Sequence, residues 1–193
     1  MVPDVSTLTQ SQGVRKRPMT WLWIVLGVAG AIAAVVLVLG LMNPAGHIAT
    51  VRASYARPPA ELFAAISDHA GQTQWRKDLR SLEMLPPQDG KTVFRETGGF
   101  GPVTYVVEAS EPPRHYVVRI LDKDLPYEGK WNFELESIGD VTRLTITETG
   151  SVKVFLFRAL SPFFSKTATI EGYLRALGAK FGETIVPEVV QVL

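Results

Sequence analysis

Residues 128–148 read EGKWNFELESIGDVTRLTITE, and their alternation decides the fold. Trp131, Phe133 and Leu135 fall on one side of an extended chain, and Lys130, Asn132, Glu134 and Glu136 fall on the other. After the turn Ile138-Gly139-Asp140 the pattern resumes, with Leu144 and Ile146 on one side and Arg143, Thr145 and Thr147 on the other. Two such strands, each wet on one face and dry on the other, describe an antiparallel sheet packed on a single side.

Working outward toward the C-terminus, the dry face needs a cover. Ile170, Tyr173, Leu174, Leu177 and Phe181 recur at helical spacing and form one apolar stripe. The sequence predicts a long final helix from about Pro162 to Thr184, with Ser161 as its N-cap and Pro162 in its first turn. Working toward the N-terminus, short apolar runs alternate with Gly/Pro turns. Leu79–Leu85, Lys91–Thr97, Val103–Ala109 and His115–Leu121 read as strands, separated by Pro86–Gly90, Gly98–Pro102, Glu111–Pro113 and Asp122–Pro126. An opening strand from Ile48 and a short helix from Pro59, with Leu62, Phe63 and Ile66 as its apolar face, complete the set. The expected fold is α+β: a curved antiparallel sheet of about seven strands around one long C-terminal helix.

Ahead of this domain lies WLWIVLGVAGAIAAVVLVLGLM, Trp21–Met42, without a charged side chain. As a helix it extends roughly 33 Å, enough for a hydrocarbon core of about 30 Å. Arg15, Lys16 and Arg17 precede it, and the next basic residue after it is Arg52. The positive-inside rule then predicts a cytoplasmic N-terminus and a domain on the outer, periplasmic or extracellular, side. A cleaved signal peptide is the rival reading, but its apolar region spans only about 7–15 residues. The expected organisation is a disordered cytoplasmic tail at 1–20, a transmembrane helix at 21–42, a linker at 43–47 and one domain at 48–193.

Composition excludes several functions. The chain has 193 residues and no cysteine, so disulfides, thiolate metal sites and a Cys nucleophile are absent. With the basic tail set aside the domain is nearly neutral and carries no electrostatic footprint for nucleic acid. His47, His69 and His115 lack metal-ligand spacing, and His47 and His69 read as solvated. Gly98–Pro102 joins two strands and lacks the Lys-Ser/Thr of a phosphate loop, so it reads as a hairpin turn. No metal site, cofactor motif or catalytic set is expected. Phe155, Leu156, Phe157, Phe163 and Phe164 form a second aromatic cluster, either packed on the sheet end or turned to a bilayer surface.

The stretch Arg57-Pro58-Pro59-Ala60-Glu61-Leu62-Phe63-Ala64-Ala65-Ile66-Ser67-Asp68, followed by Trp75 and the strand Leu79–Met84, resembles the opening of the SRPBCC superfamily. That superfamily includes START, Bet v 1-like, polyketide cyclase/dehydrase and lipid-transport proteins, and the likeness covers about Ile48–Val186. The resemblance implies a helix-grip fold with a cavity between sheet and long helix. The candidate lining is Trp75, Tyr105, Trp131, Phe133, Leu144, Ile146, Ile170, Tyr173, Leu174 and Leu177. Arg119, in register with Val117 and Leu121, and Glu148, in register with Leu144 and Ile146, are candidate inward polar groups for a ligand's head; Glu96 shares a face with Phe94. One scaffold carries many activities. The leading expectation is a membrane-anchored, non-enzymatic binding domain for a lipid or other apolar small molecule. The alternatives are a cyclase- or dehydratase-like enzyme, with Arg119, Glu148, Tyr105 or His115 supplying acid–base chemistry, and an interaction module with a collapsed cavity.

Overall fold

The computed structural model describes residues 20–99, 101–160 and 165–193. The apolar segment forms one uninterrupted helix, α1 (Thr20–Met42), long and apolar enough to cross a bilayer. Asn43 ends it, its backbone N–H and its side-chain amide both donating to the Leu39 carbonyl.

From Gly46 the alternating pattern takes over. The elements are β1 (Gly46–Tyr55), α2 (Pro59–Ser67), a single 3₁₀ turn (Gln72–Gln74), β2 (Ser81–Gln88), β3 (Lys91–Gly98), β4 (Gly101–Glu111), β5 (His115–Ile120), β6 (Tyr127–Ile138), β7 (Val141–Val152), α3 (Phe155–Leu160), α4 (Ala168–Lys180) and β8 (Glu188–Val192). The strands form one antiparallel sheet in the order β2-β3-β4-β5-β6-β7-β1-β8. The β6–β7 hairpin has the register its alternation requires, with Phe133 opposite Ile146 and Leu135 opposite Leu144. These four side chains are buried with Val51, Ala53 and Tyr55 of β1 and with Ile170, Tyr173, Leu174 and Leu177 of α4. The helix thus grips the dry face. Tyr55 locks it there through a 2.9 Å hydrogen bond from its hydroxyl to the Leu174 carbonyl. Leu62, Phe63 and Ile66 bring α2 into the same core.

Four expectations are corrected. The long helix begins at Ala168; the expected cap and first turn at Ser161–Pro162 lie outside the described residues. Just before it, the Thr167 N–H donates to the Ser165 hydroxyl at 3.3 Å, a local polar turn that competes with helix. The helix stops at Lys180, where Gly182 takes a φ of +74°, a left-handed stop open to glycine. The sheet has an eighth strand, β8, exposed throughout and joined to β1 by Arg52, which donates two hydrogen bonds of 2.9 and 2.8 Å to Glu188. Finally, β2 runs on through Pro86 and Pro87; it is an edge strand, where a missing N–H is tolerated.

Candidate ligand cavity

The aromatic faces of β3 to β6 and of α4 converge on one space. Trp131 and Phe133 enter from β6, Tyr116 and Val118 from β5, Tyr105 from β4, Phe94 and Glu96 from β3, and Tyr173 and Thr169 from α4. The α2 end and the segment after it supply Ile66, His69, Gln72 and Arg76. The space is partly open to solvent, with a volume of about 80 Å³. Tyr173 is the hub of the ring contacts, with Trp75, Phe133 and Trp131 at 5.5, 5.6 and 5.7 Å between centroids, all near edge-to-face. Burial pushes the phenols of Tyr105, Tyr116 and Tyr173 well above the ordinary range, so all three stay protonated and able to donate.

One part of the lining is polar. Asp68 accepts the Gly71 N–H at 3.1 Å in a tight turn that ends α2 and carries the next residues inward. Gln72 donates to the Ile66 carbonyl and accepts from Arg76, both at 2.8 Å. The Arg76 guanidinium forks onto Glu96 at 2.6 and 3.1 Å, reaches Asp78 at 2.8 Å and lies 5.2 Å from the Tyr173 ring centre. Burial works against the Arg76 charge, but Glu96 and Asp78 more than reverse it, so Arg76 stays protonated. Burial pushes the Glu96 carboxyl up, and Arg76 pulls it part of the way back. His69 stacks on Phe94 at 3.9 Å and its Nε2 is 2.8 Å from the Tyr116 hydroxyl. Burial, with Arg76 adding to it, lowers its pKa to about 4, so the ring is neutral at physiological pH. In this lining, among the described residues, two buried polar atoms have no hydrogen-bond partner: His69 Nδ1 and Arg76 Nε. Both residues are more than nine-tenths buried.

The residues expected at the site separate into groups. Tyr105, Trp131, Phe133 and Tyr173 line the cavity. Leu144, Ile146, Ile170, Leu174 and Leu177 are fully buried and pack behind it as core. Trp75 packs edge-on against Tyr173. Glu148 does point inward, but it accepts the Trp131 indole N–H at 2.9 Å and lies 3.2 Å from His47 Nε2, so it braces the wall. Arg119 does not point inward: it is exposed on the opposite face, paired with Glu108. On β5 the inward positions are Tyr116 and Val118. The buried Arg–Glu pair exists with Arg76 as its cation. His47 and His69 are not simply solvated: His47 sits in β1 on Glu148, and His69 is buried. His69, Gln72, Arg76 and Tyr116 line the cavity without being among the expected residues. The helix-ending Asp68 and the inward Glu96, which needs a cation, were the signals available.

A curved antiparallel sheet gripping one helix around an aromatic cavity defines a helix-grip domain of the START and Bet v 1 type. Residues 47–184 match the family described as polyketide cyclase / dehydrase and lipid transport, and the chain belongs to it. No curated protein matches the chain. Among solved structures it is similar to a START superfamily protein from Mycobacterium smegmatis (16% identity, TM-score 0.56, 69% of this chain and 96% of that one). It is also similar to a hypothetical protein from Helicobacter pylori (15%, 0.59, 69% and 86%) and to a norcoclaurine synthase point mutant from Thalictrum (12%, 0.57, 70% and 93%). At these identities the likeness is one of fold.

Proposed function

We propose that this chain is a membrane-anchored binding domain for a compact, uncharged apolar molecule or the ring of a lipid, which it holds without transforming it. One observation carries the reading: an aromatic cavity whose polar lining contains two unpartnered, buried polar atoms, His69 Nδ1 and Arg76 Nε. An unpaired buried polar group costs about 1–3 kcal/mol, and a ligand oxygen or a water relieves it. The Arg76 charge is already matched by Glu96 and Asp78, so the pocket offers no free cation for a carboxylate head. The cavity, about 80 Å³, is roughly half the ~150 Å³ of an engineered cavity known to hold benzene. A ring therefore enters by displacing the half-buried walls Trp131 and Tyr105. Burial of its apolar area, at about 25 cal/mol per Å², drives the binding. In this reading α1 spans the bilayer, the N-terminus is cytoplasmic and the domain stands on the outer side, next to the lipid phase where such molecules partition.

The test is to purify the full chain from membranes and combine native mass spectrometry with solvent extraction. Titration with a panel of neutral aromatic alcohols, ketones, quinones and lipids then follows. A co-purifying or titrating neutral ligand is expected; a cavity that stays empty against the whole panel sinks the proposal. A second reading, a cyclase- or dehydratase-like enzyme, is favoured by the His69–Tyr116 pair, a neutral imidazole hydrogen-bonded to a phenol at the cavity wall. Turnover of a bound ligand, lost in His69→Gln while binding is retained, would establish it.

A further inference from the structure

Helix α3 is built the wrong way round for a soluble surface. Its buried side is Ala159, 1% exposed, while Val154, Leu156, Phe157 and Leu160 are 40, 54, 53 and 40% exposed. Leu156, Phe157 and Leu160 fall at i, i+1 and i+4 and share one helical face. Contiguous exposed apolar side chains of this kind mark an interaction surface.

The topology says what covers it. The end of β7 that feeds α3 is paired with the beginning of β1: Gly46 faces Ser151, His47 faces Gly150, and the Val152 N–H donates to the Ala45 carbonyl at 2.7 Å. Ala45 is the third residue after Met42, where α1 ends. A chain of three residues reaches at most about 10 Å. Val154 lies two residues, and the apolar face of α3 begins four residues, beyond a residue hydrogen-bonded to the chain's exit from the apolar helix. Lys153 and Lys166 bracket the segment, as suits a lipid headgroup layer. A second copy of the chain is a poor occupant, because four partly exposed side chains fall far short of the ~800 Å² per partner of a stable interface.

We infer that the exposed face of α3 lies in the headgroup–acyl boundary of the bilayer that α1 enters, as a second membrane contact beside the span. The inference rests on the reading of α1 as a transmembrane helix.

The chain has no cysteine, so single labels can be placed at will. The full chain is reconstituted into vesicles of three parts phosphatidylcholine to one part phosphatidylglycerol. An environment-sensitive fluorophore is attached at Leu156→Cys, at Val28→Cys within α1, or at Asp140→Cys in the exposed β6–β7 turn at the other end of β7. Lipids carrying a nitroxide high on the acyl chain are the quencher. About twofold or greater quenching is expected at Leu156, the depth reached by an interfacial helix, with none at Asp140. A Leu156 label that behaves like the Asp140 label overturns the surface contact, whatever Val28 shows. Loss of quenching at Val28 overturns the span instead. Leu156 fluorescence that changes with the protein-to-lipid ratio rather than with nitroxide content assigns the face to a second copy and also overturns the inference.

Discussion

Arg76, just after the 3₁₀ turn, and Glu96, on β3, meet in a two-pronged ion pair inside the cavity lining, with side chains only 10% and 13% exposed. Removing Arg76 strands the Glu96 carboxyl in a low-dielectric setting, whereas removing Glu96 leaves Arg76 with Asp78. Arg76→Met is expected to destabilise the domain by about 3–5 kcal/mol, and Glu96→Leu by less. The double variant Arg76→Met/Glu96→Leu, which removes both charges and keeps the volume, is expected to lose much less than the sum of its single changes. Urea unfolding of the four proteins closes the cycle. Additive losses would mean that the pair is not coupled.

His69 gives the folded domain a dependence on pH. Its folded pKa, about 4, lies below the ordinary value of 6.5, so between these values the unfolded chain binds the extra proton. Stability from this group is full above about pH 6.5 and falls as pH drops toward 4, by up to roughly 3 kcal/mol. Glu96, whose carboxyl is raised, acts in the opposite sense above the ordinary carboxylate value, so the two slopes partly cancel in the native protein. The difference between native and His69→Gln unfolding profiles from pH 4 to 7 isolates the histidine. Parallel profiles would show that His69 is not buried as a neutral ring.

Leu174 and Trp131 should respond differently. Leu174 is fully buried behind the cavity, so Leu174→Ala is expected to cost about 2–5 kcal/mol while leaving retention of the proposed ligand unchanged. Trp131 lines the cavity and is half-buried, so Trp131→Leu is expected to change ligand retention with a smaller loss of stability. Paired unfolding and extraction experiments separate the two.

Gly150 leaves room for the His47 ring, and a methyl group there would overlap the imidazole. Gly150→Ala is expected to move His47 off Glu148, with a loss of about 1 kcal/mol, similar to that of His47→Ala. The double variant should lose little more than either single one. Unfolding midpoints of the three variants check this.

What could be read in advance follows from periodicity. The β6–β7 hairpin was legible because Trp131–Leu135 and Leu144–Ile146 alternate without interruption and one face is dry. The α4 stripe was legible for the same reason at helical spacing. Its start was not, because Ser165 and Thr167 form a polar turn that no apolar pattern reveals. β8 escaped because Glu188–Val192 is exposed on both faces and carries no alternation. The polar lining escaped because it is made by a segment without periodicity: a turn held by Asp68 aims His69, Gln72 and Arg76 inward. Arg119 lies on the face opposite to the one that its register with Val117 and Leu121 suggests. The cross-strand pairing of Tyr116 with Phe133 and of Val118 with Trp131 fixes the opposite phase.

Glu148 accepts the Trp131 indole N–H and pairs with His47 Nε2, a link that leads from the cavity wall back to β1, five residues beyond the end of α1. The first residues of β1 are therefore linked to the cavity wall by side chains as well as by backbone. A pull on residue 43 enters the sheet at Gly46 and His47 and meets the indole that walls the cavity after two hydrogen bonds. The strand that follows α1 is tied to the cavity wall at its first residues, through the β1–β7 ladder as well as through Glu148.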